Sequence, residues 1–84
     1  MVQVKFIDKD NRLVKTKLSN GITQDVNYDD RSREEKREYT RNGQIVYSQT
    51  TQYDSNSNVV REDIVEQNTN IIKEYWSGNL NSDT

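Results

Sequence analysis

Two Asn-Gly pairs, Asn20-Gly21 and Asn42-Gly43, constrain this 84-residue chain more than any other feature. An Asn-Gly pair supplies the positive backbone angles that a two-residue type I′ hairpin turn requires, and that turn matches the twist of antiparallel strands. Between and beside these pairs the apolar residues alternate. Val2, Val4 and Phe6, then Ile22, Val26 and Tyr28, then Ile45 and Tyr47 each share a face at period two, with Gln3, Lys5, Thr23, Asp25 and Asn27 opposite. Strands are predicted near 2–7, 12–18, 22–28, 33–40, 44–53, 58–66 and 70–76, joined by short polar connections. The expected fold is all-β: an antiparallel meander of about six to seven short strands, forming a single curved sheet or a small open barrel. Residues 1–76 make the domain and 77–84 a disordered polar tail.

Composition supports strands and limits the core. Alanine is absent, while Val, Ile and Thr make up 21 residues. The larger aliphatics and phenylalanine number only 18 (8 Val, 6 Ile, 3 Leu, 1 Phe), close to the level of about 20% at which chains stop folding. A net charge of -2 keeps self-repulsion low, and the apolar residues are clustered, so a folded domain is expected. With no cysteine, neither disulfides nor thiolate metal sites can staple it. No apolar stretch approaches the ~20 residues of a membrane span, and no basic segment after Met1 leads into an apolar run, so no membrane association and a cytoplasmic location are expected. The balance of 12 basic against 14 acidic side chains gives no broad positive field for duplex nucleic acid.

Four windows superpose without gaps. They begin at Ile7, Tyr39, Tyr53 and Val65, and each runs from a strand-ending apolar residue through five polar residues that include Asn to an aliphatic pair: Leu13-Val14, Ile45-Val46, Val59-Val60 and Ile71-Ile72. One hairpin unit used repeatedly is the reading. Tyr53-Asp54 followed by Asn56, Asn58, Val59, Val60 and Arg61, and Tyr39 followed by Asn42-Gly43, Ile45 and Val46, resemble the tyrosine-aspartate (YD) repeats and variant MORN-type repeats of bacterial proteins. The resemblance covers about residues 39–76, with an echo at 7–15. It implies antiparallel sheets or shells of stacked hairpins that serve as structural or interaction surfaces.

Residues 29–43 admit two readings. Ser32 with Glu35 matches a helix capping box, and Glu34-Glu35-Lys36-Arg37-Glu38 has good helix propensity. A helix of that length needs an apolar stripe, however, and only Tyr39 is on offer, so a strand solvated on both faces is preferred.

The absence of histidine and cysteine excludes Ser-His-Asp and Cys-His machinery. Carboxylate chemistry needs two acids in a concave site, but Asp29, Asp30, Glu34, Glu35, Glu62, Asp63 and Glu66 all lie among Lys and Arg in polar segments. Asp8-Lys9-Asp10-Asn11 opens like a calcium loop, but Arg12 and Ser19 stand where ligands belong, and a turn is expected. Isolated glycines offer no phosphate loop. No enzyme activity, cofactor, metal or small-molecule substrate is expected. Tyr39 near Arg37 and Arg41, and Tyr75-Trp76 near Lys73, suggest a stacking platform for single-stranded nucleic acid, but these aromatics more economically fill the core that a small sheet lacks.

The expected role is a non-enzymatic protein-binding or assembly module, with a phage- or mobile-element-encoded inhibitor of a host protein as one form. A single-stranded nucleic-acid-binding barrel and a repeat segment of a larger surface or fibre protein are the alternatives. The residues expected to meet a partner or a second copy are Ile71, Ile72, Tyr75, Trp76, Tyr47 and Tyr53. In the strand predicted at 70–76, Ile72 and Trp76 would share one face and Ile71 and Tyr75 the other, leaving one side for another molecule to cover.

Overall fold

The computed structural model describes residues 3–67 and 70–81. Six strands form one open antiparallel sheet in chain order: β1 (Gln3–Ile7), β2 (Leu13–Leu18), β3 (Ile22–Tyr28), β4 (Glu34–Arg41), β5 (Gln44–Tyr53) and β6 (Val59–Glu66). Among the described residues one helix, α1 (Ile71–Asn81), follows. The sheet is a meander with neither crossover nor closure, so of the two shapes expected it is the open curved sheet.

Register sorts the side chains onto two faces. Lys5, Thr16, Gln24, Tyr39, Tyr47 and Glu66 stand in one row across all six strands, and this row lies on the covered face. One residue along, Phe6, Lys15, Asp25, Glu38, Ser48 and Val65 form a row on the opposite face. That face is polar apart from its two ends, and ion pairs such as Lys15–Asp25 (3.4 Å) and Lys36–Glu38 (3.6 Å) lie along it. Exposed pairs of this kind contribute about 0.2–1 kcal/mol each, so they tolerate solvent rather than create a core.

The core lies between the covered face and α1. Leu18, Ile22, Tyr39, Tyr47, Ile71 and Tyr75 form its buried cluster, with Val46 and Ile72 packed against it. Tyr39 meets Tyr47 and Tyr75 edge-on, at 5.3 Å and 4.9 Å between ring centres. Gln24, buried beneath them, donates from Nε2 to the Tyr39 hydroxyl (2.8 Å) and accepts from the Tyr75 hydroxyl at Oε1 (3.3 Å), so these three polar groups satisfy one another. Burial raises the Tyr75 and Tyr47 phenols above their ordinary pKa. Arg41 on β4 pairs with Glu74 on α1 at 2.8 Å and ties the helix to the sheet.

The segment 70–76, read above as a strand, is the first part of α1. Ile71 and Tyr75 are four residues apart, a spacing that serves one helix face as well as one strand face. Tertiary need decides between them. A seventh strand would extend the sheet sideways and leave Ile22, Tyr39 and Tyr47 open, whereas a helix laid across it buries Ile71 and Tyr75 against them. Asn70 opens the helix, its carbonyl accepting the Glu74 N–H at 2.9 Å. The helix continues through Ser77-Gly78 to Asn81, into the stretch expected to be a disordered tail; residues 82–84 lie outside the described residues.

Residues 34–41 are a strand, as preferred above. Ser32 has φ +60°, which removes it as a helix cap, and Tyr39 is buried at 2% exposure between its partners on β3 and β5. The two Asn-Gly turns differ from each other. Asn42 and Gly43 both take positive φ, 53° and 84°, as the two-residue turn demands. At Asn20-Gly21 only Gly21 does, at 89°, with its N–H bonded to Leu18 and the Ile22 N–H to the Asn20 side chain, so this is a longer loop with glycine in the left-handed position.

Candidate interaction surface

The three connections at the opposite end of the sheet, β1–β2, β3–β4 and β5–β6, are one turn built three times. In each, an aspartate opens a five-residue loop. Asp8, Asp29 and Asp54 donate their backbone N–H to the carbonyl of the fifth residue, Arg12, Arg33 or Asn58, at 2.9 Å. Their Oδ1 atoms accept the N–H groups of the third and fifth residues at 2.8–3.0 Å, and their Oδ2 atoms accept from the side chain of the fifth. The fourth residues, Asn11, Ser32 and Ser57, have φ of 64°, 60° and 66°. The residue before each aspartate pairs with the one after the loop, and a register shift follows at the same place every time, leaving Val14, Glu35 or Val60 as the extra residue of a bulge. The backbone N–H of the fifth residue is the main reason each of these carboxyls is held below its ordinary pKa of 3.8.

Neighbouring turns are coupled by a repeated set of contacts. Arg12 donates to the Ser32 hydroxyl (2.9 Å) and lies over the Tyr28 ring (4.9 Å), while the Tyr28 hydroxyl returns to the carbonyl of Leu13 (2.8 Å). Arg33 does the same one unit on: to the Ser57 hydroxyl (3.2 Å) and over the Tyr53 ring (4.6 Å), with the Tyr53 hydroxyl on the Glu34 carbonyl (2.6 Å). At the outer positions the coupling residues are replaced. Ile7 and Asn11 stand where the later turns have Tyr and Ser, and Asn58 stands where the earlier ones have Arg.

The windows superposed from sequence at Ile7 and Tyr53 are therefore genuine copies. The window at Tyr39 spans the Asn42-Gly43 turn at the other end of the sheet, and the one at Val65 leads into α1 and includes residues 68–69, outside the described residues. The missing copy begins at Tyr28. Its aliphatic pair is replaced by Glu34-Glu35, which hid it, but Tyr28-Asp29 matches Tyr53-Asp54 and Ser32 matches Ser57.

The residues expected at an interface are divided by the fold. Ile71, Tyr75 and Tyr47 are interior, at 0%, 3% and 8% exposure. Ile72 is half-buried against the same cluster, and Tyr53 is occupied by Arg33 and Glu34. Trp76 is the outward member, with its ring edge-on to Tyr75 at 5.6 Å.

The larger exposed apolar surface lies on the sheet edges. All eight residues of β6 are exposed, and Val59, Val60, Ile64 and Val65 are 54–64% accessible. The outer backbone of β6 has no strand beside it among the described residues. β1, at the other edge, exposes Val4, Phe6 and Ile7, with the Lys17 ammonium over the Phe6 ring. Beside Phe6 a shallow hollow of about 360 Å³ is lined by Val14, Lys15, Lys17, Asp25, Val26 and Asn27, but Lys15 and Asp25 are already paired with each other. Among the described residues no three acidic groups lie close enough to hold a metal, and no helix is long and apolar enough to cross a membrane. No family model matches the chain, and no curated protein or solved structure matches it.

Proposed function

We propose that this protein is a binding or assembly module without catalysis of its own, working by strand addition at the free edge of its sheet. The carrying observation is β6: an eight-residue edge strand with four exposed aliphatics. An edge presents unpaired N–H and C=O groups in a row, and proteins usually blunt such edges with lysine, proline or a covering loop. β6 has neither Lys nor Pro, and the charges it does carry, Arg61, Glu62, Asp63 and Glu66, are of both signs and can be matched by a partner. Backbone bonds would supply affinity and the alternating side chains selectivity. The polar inventory supports a non-catalytic role, since Asp8, Asp29 and Asp54 hold turns, Glu74 anchors α1 and the chain contains no histidine or cysteine. Kinship with the YD-type hairpin repeats belongs to the same reading.

Ile64→Lys combined with Val65→Lys places charge on both faces of β6 without touching the core. The immobilised wild-type protein is expected to retain a partner, either its own copies or a protein from cell extract, and the variant to lose it. Retention that the two lysines leave undiminished would overturn the edge reading, as would the absence of any association.

A further inference from the structure

The sequence of β6, Val59-Val60-Arg61-Glu62-Asp63-Ile64-Val65-Glu66, is complementary to itself when reversed. For two copies of one strand lying antiparallel about a two-fold axis, geometry limits the choice of register. A residue whose backbone groups point outward must face another that does the same, and its side chain must emerge on the same face. Both conditions require the axis to pass through a residue rather than between two.

With the axis through Glu62, Arg61 faces Asp63 twice and Val60 faces Ile64 twice, and the bulge at Val60 ends the regular pairing before Val59. With the axis through Asp63, Arg61 faces Val65, Val60 faces Glu66, Glu62 faces Ile64 and the two aspartates meet. With the axis through Arg61 the two arginines meet and Val60 faces Glu62. Only the first choice sets charge against opposite charge and aliphatic against aliphatic. Its one like-charge contact is Glu62 with itself, and Glu62 already accepts from Gln49 Nε2 at 3.3 Å. Within one chain Arg61 and Asp63 lie on the same face 3.0 Å apart, both exposed, so two copies would form a ring of four alternating charges.

Translational addition of another hairpin unit is disfavoured at the same edge. That arrangement needs an arginine at the fifth position of the last turn to reach a serine and a tyrosine beyond it, and Asn58 occupies the position. We therefore infer that β6 pairs antiparallel with β6 of a second copy about a two-fold axis through Glu62, joining two six-stranded sheets into one of twelve strands with both helices on the same face. This rests on the edge-binding reading above and names its partner.

Sedimentation equilibrium on the full chain tests the pairing with Arg61→Asp, Asp63→Arg and the double exchange. Each single reversal creates two like-charge contacts across the axis and is expected to weaken dimerisation by about tenfold or more, as directly opposed like charges do. The double exchange restores the alternation, and the dimer with it. Thermal melts at a concentration where every variant is monomeric verify folding, since both side chains lie in solvent. A dimer indifferent to the single reversals overturns the pairing, as does a double exchange that fails to rescue. A wild type monomeric at all concentrations also overturns it; if Ile64→Lys with Val65→Lys still abolishes capture of a different protein, the edge-binding reading survives and only the self-pairing falls.

Discussion

The two ends of this sheet are held by different physics. At the Asn-Gly end, aromatic and aliphatic side chains are buried beneath α1: Tyr39, Tyr47, Ile22, Ile71 and Tyr75. Among the described residues no helix covers the aspartate end, and order there comes from carboxylates closing loops and from arginines that lie on tyrosine rings while bonding to the next turn. A chain too poor in apolar residues to cover a six-stranded sheet concentrates its hydrophobic surface at one end. The other end is fixed with repeated polar contacts, each weak and each directional.

The hardest test of that contrast is Tyr39→Ala. It empties the centre of the covered end and is expected to cost about 3–5 kcal/mol, as buried aromatic truncations do. Chemical denaturation should show a marginal or unfolded domain, and a loss below about 1 kcal/mol would mean the core does not carry the fold. Gly43→Ala tests the same end through its turn. A Cβ there meets no atom within 4 Å, so the cost is the left-handed φ of +84° alone, about 1–2 kcal/mol.

Arg33→Ala addresses the other end. It removes the contact with the Tyr53 ring and the bonds to Asp29 and Ser57, an expected loss of about 1 kcal/mol. Hydrogen exchange should quicken around residues 29–33 and 54–58 and stay unchanged around Tyr39; a uniform change would show that the two ends are not separable.

Acid should act on the same end. Asp8, Asp29 and Asp54 have carboxyls held below 3.8, so the stability they contribute is complete above that value and is lost as pH falls through their lowered folded-state values. Melting curves between pH 5 and pH 2, taken as about the range in which such groups titrate, should fall less steeply for Asp29→Asn, which keeps an acceptor oxygen but cannot titrate. Asn58→Arg gives the smallest effect, near zero, because in the monomer no further serine or tyrosine stands beside the third turn; a clear gain would mean the coupling works within a single turn.

Part of this contrast is legible in the sequence. The strands were legible because alternation and turn residues are local: β3, β5 and β6 run within a residue of their expected bounds, and Asn42-Gly43 forms the turn its composition demands. The helix was not, since Ile71-Ile72 and Tyr75-Trp76 satisfy both periods and only the uncovered Tyr39 row selects between them. The six residues expected at an interface are apolar or aromatic, and the fold turns Ile71, Tyr75 and Tyr47 of them inward, because a small chain needs such residues for its own core. The apolar cluster at 58–65 is legible as one that would gain from a partner, but nothing in a sequence distinguishes an edge strand from a central one. The Arg–Tyr–Ser couplings join residues about twenty positions apart, and their middle copy carries two glutamates in place of the aliphatic pair that marked the others.

The repetition of those couplings has an implication for how such a chain changes length. Residues 29–53 run from one aspartate to the residue before the next, and carry one of each coupling residue: Ser32, which accepts from Arg12, Arg33, which reaches the next turn, and Tyr53, which lies beneath it. A tandem copy of that segment would bring matched seams on both sides, so a two-strand insertion needs no new chemistry at the aspartate end. The helix does not multiply with it. Each inserted hairpin adds another Tyr39-like residue to the covered face while the one eleven-residue α1 stays the same size, so elongation by duplication meets its ceiling in the width of the lid and not in the sheet.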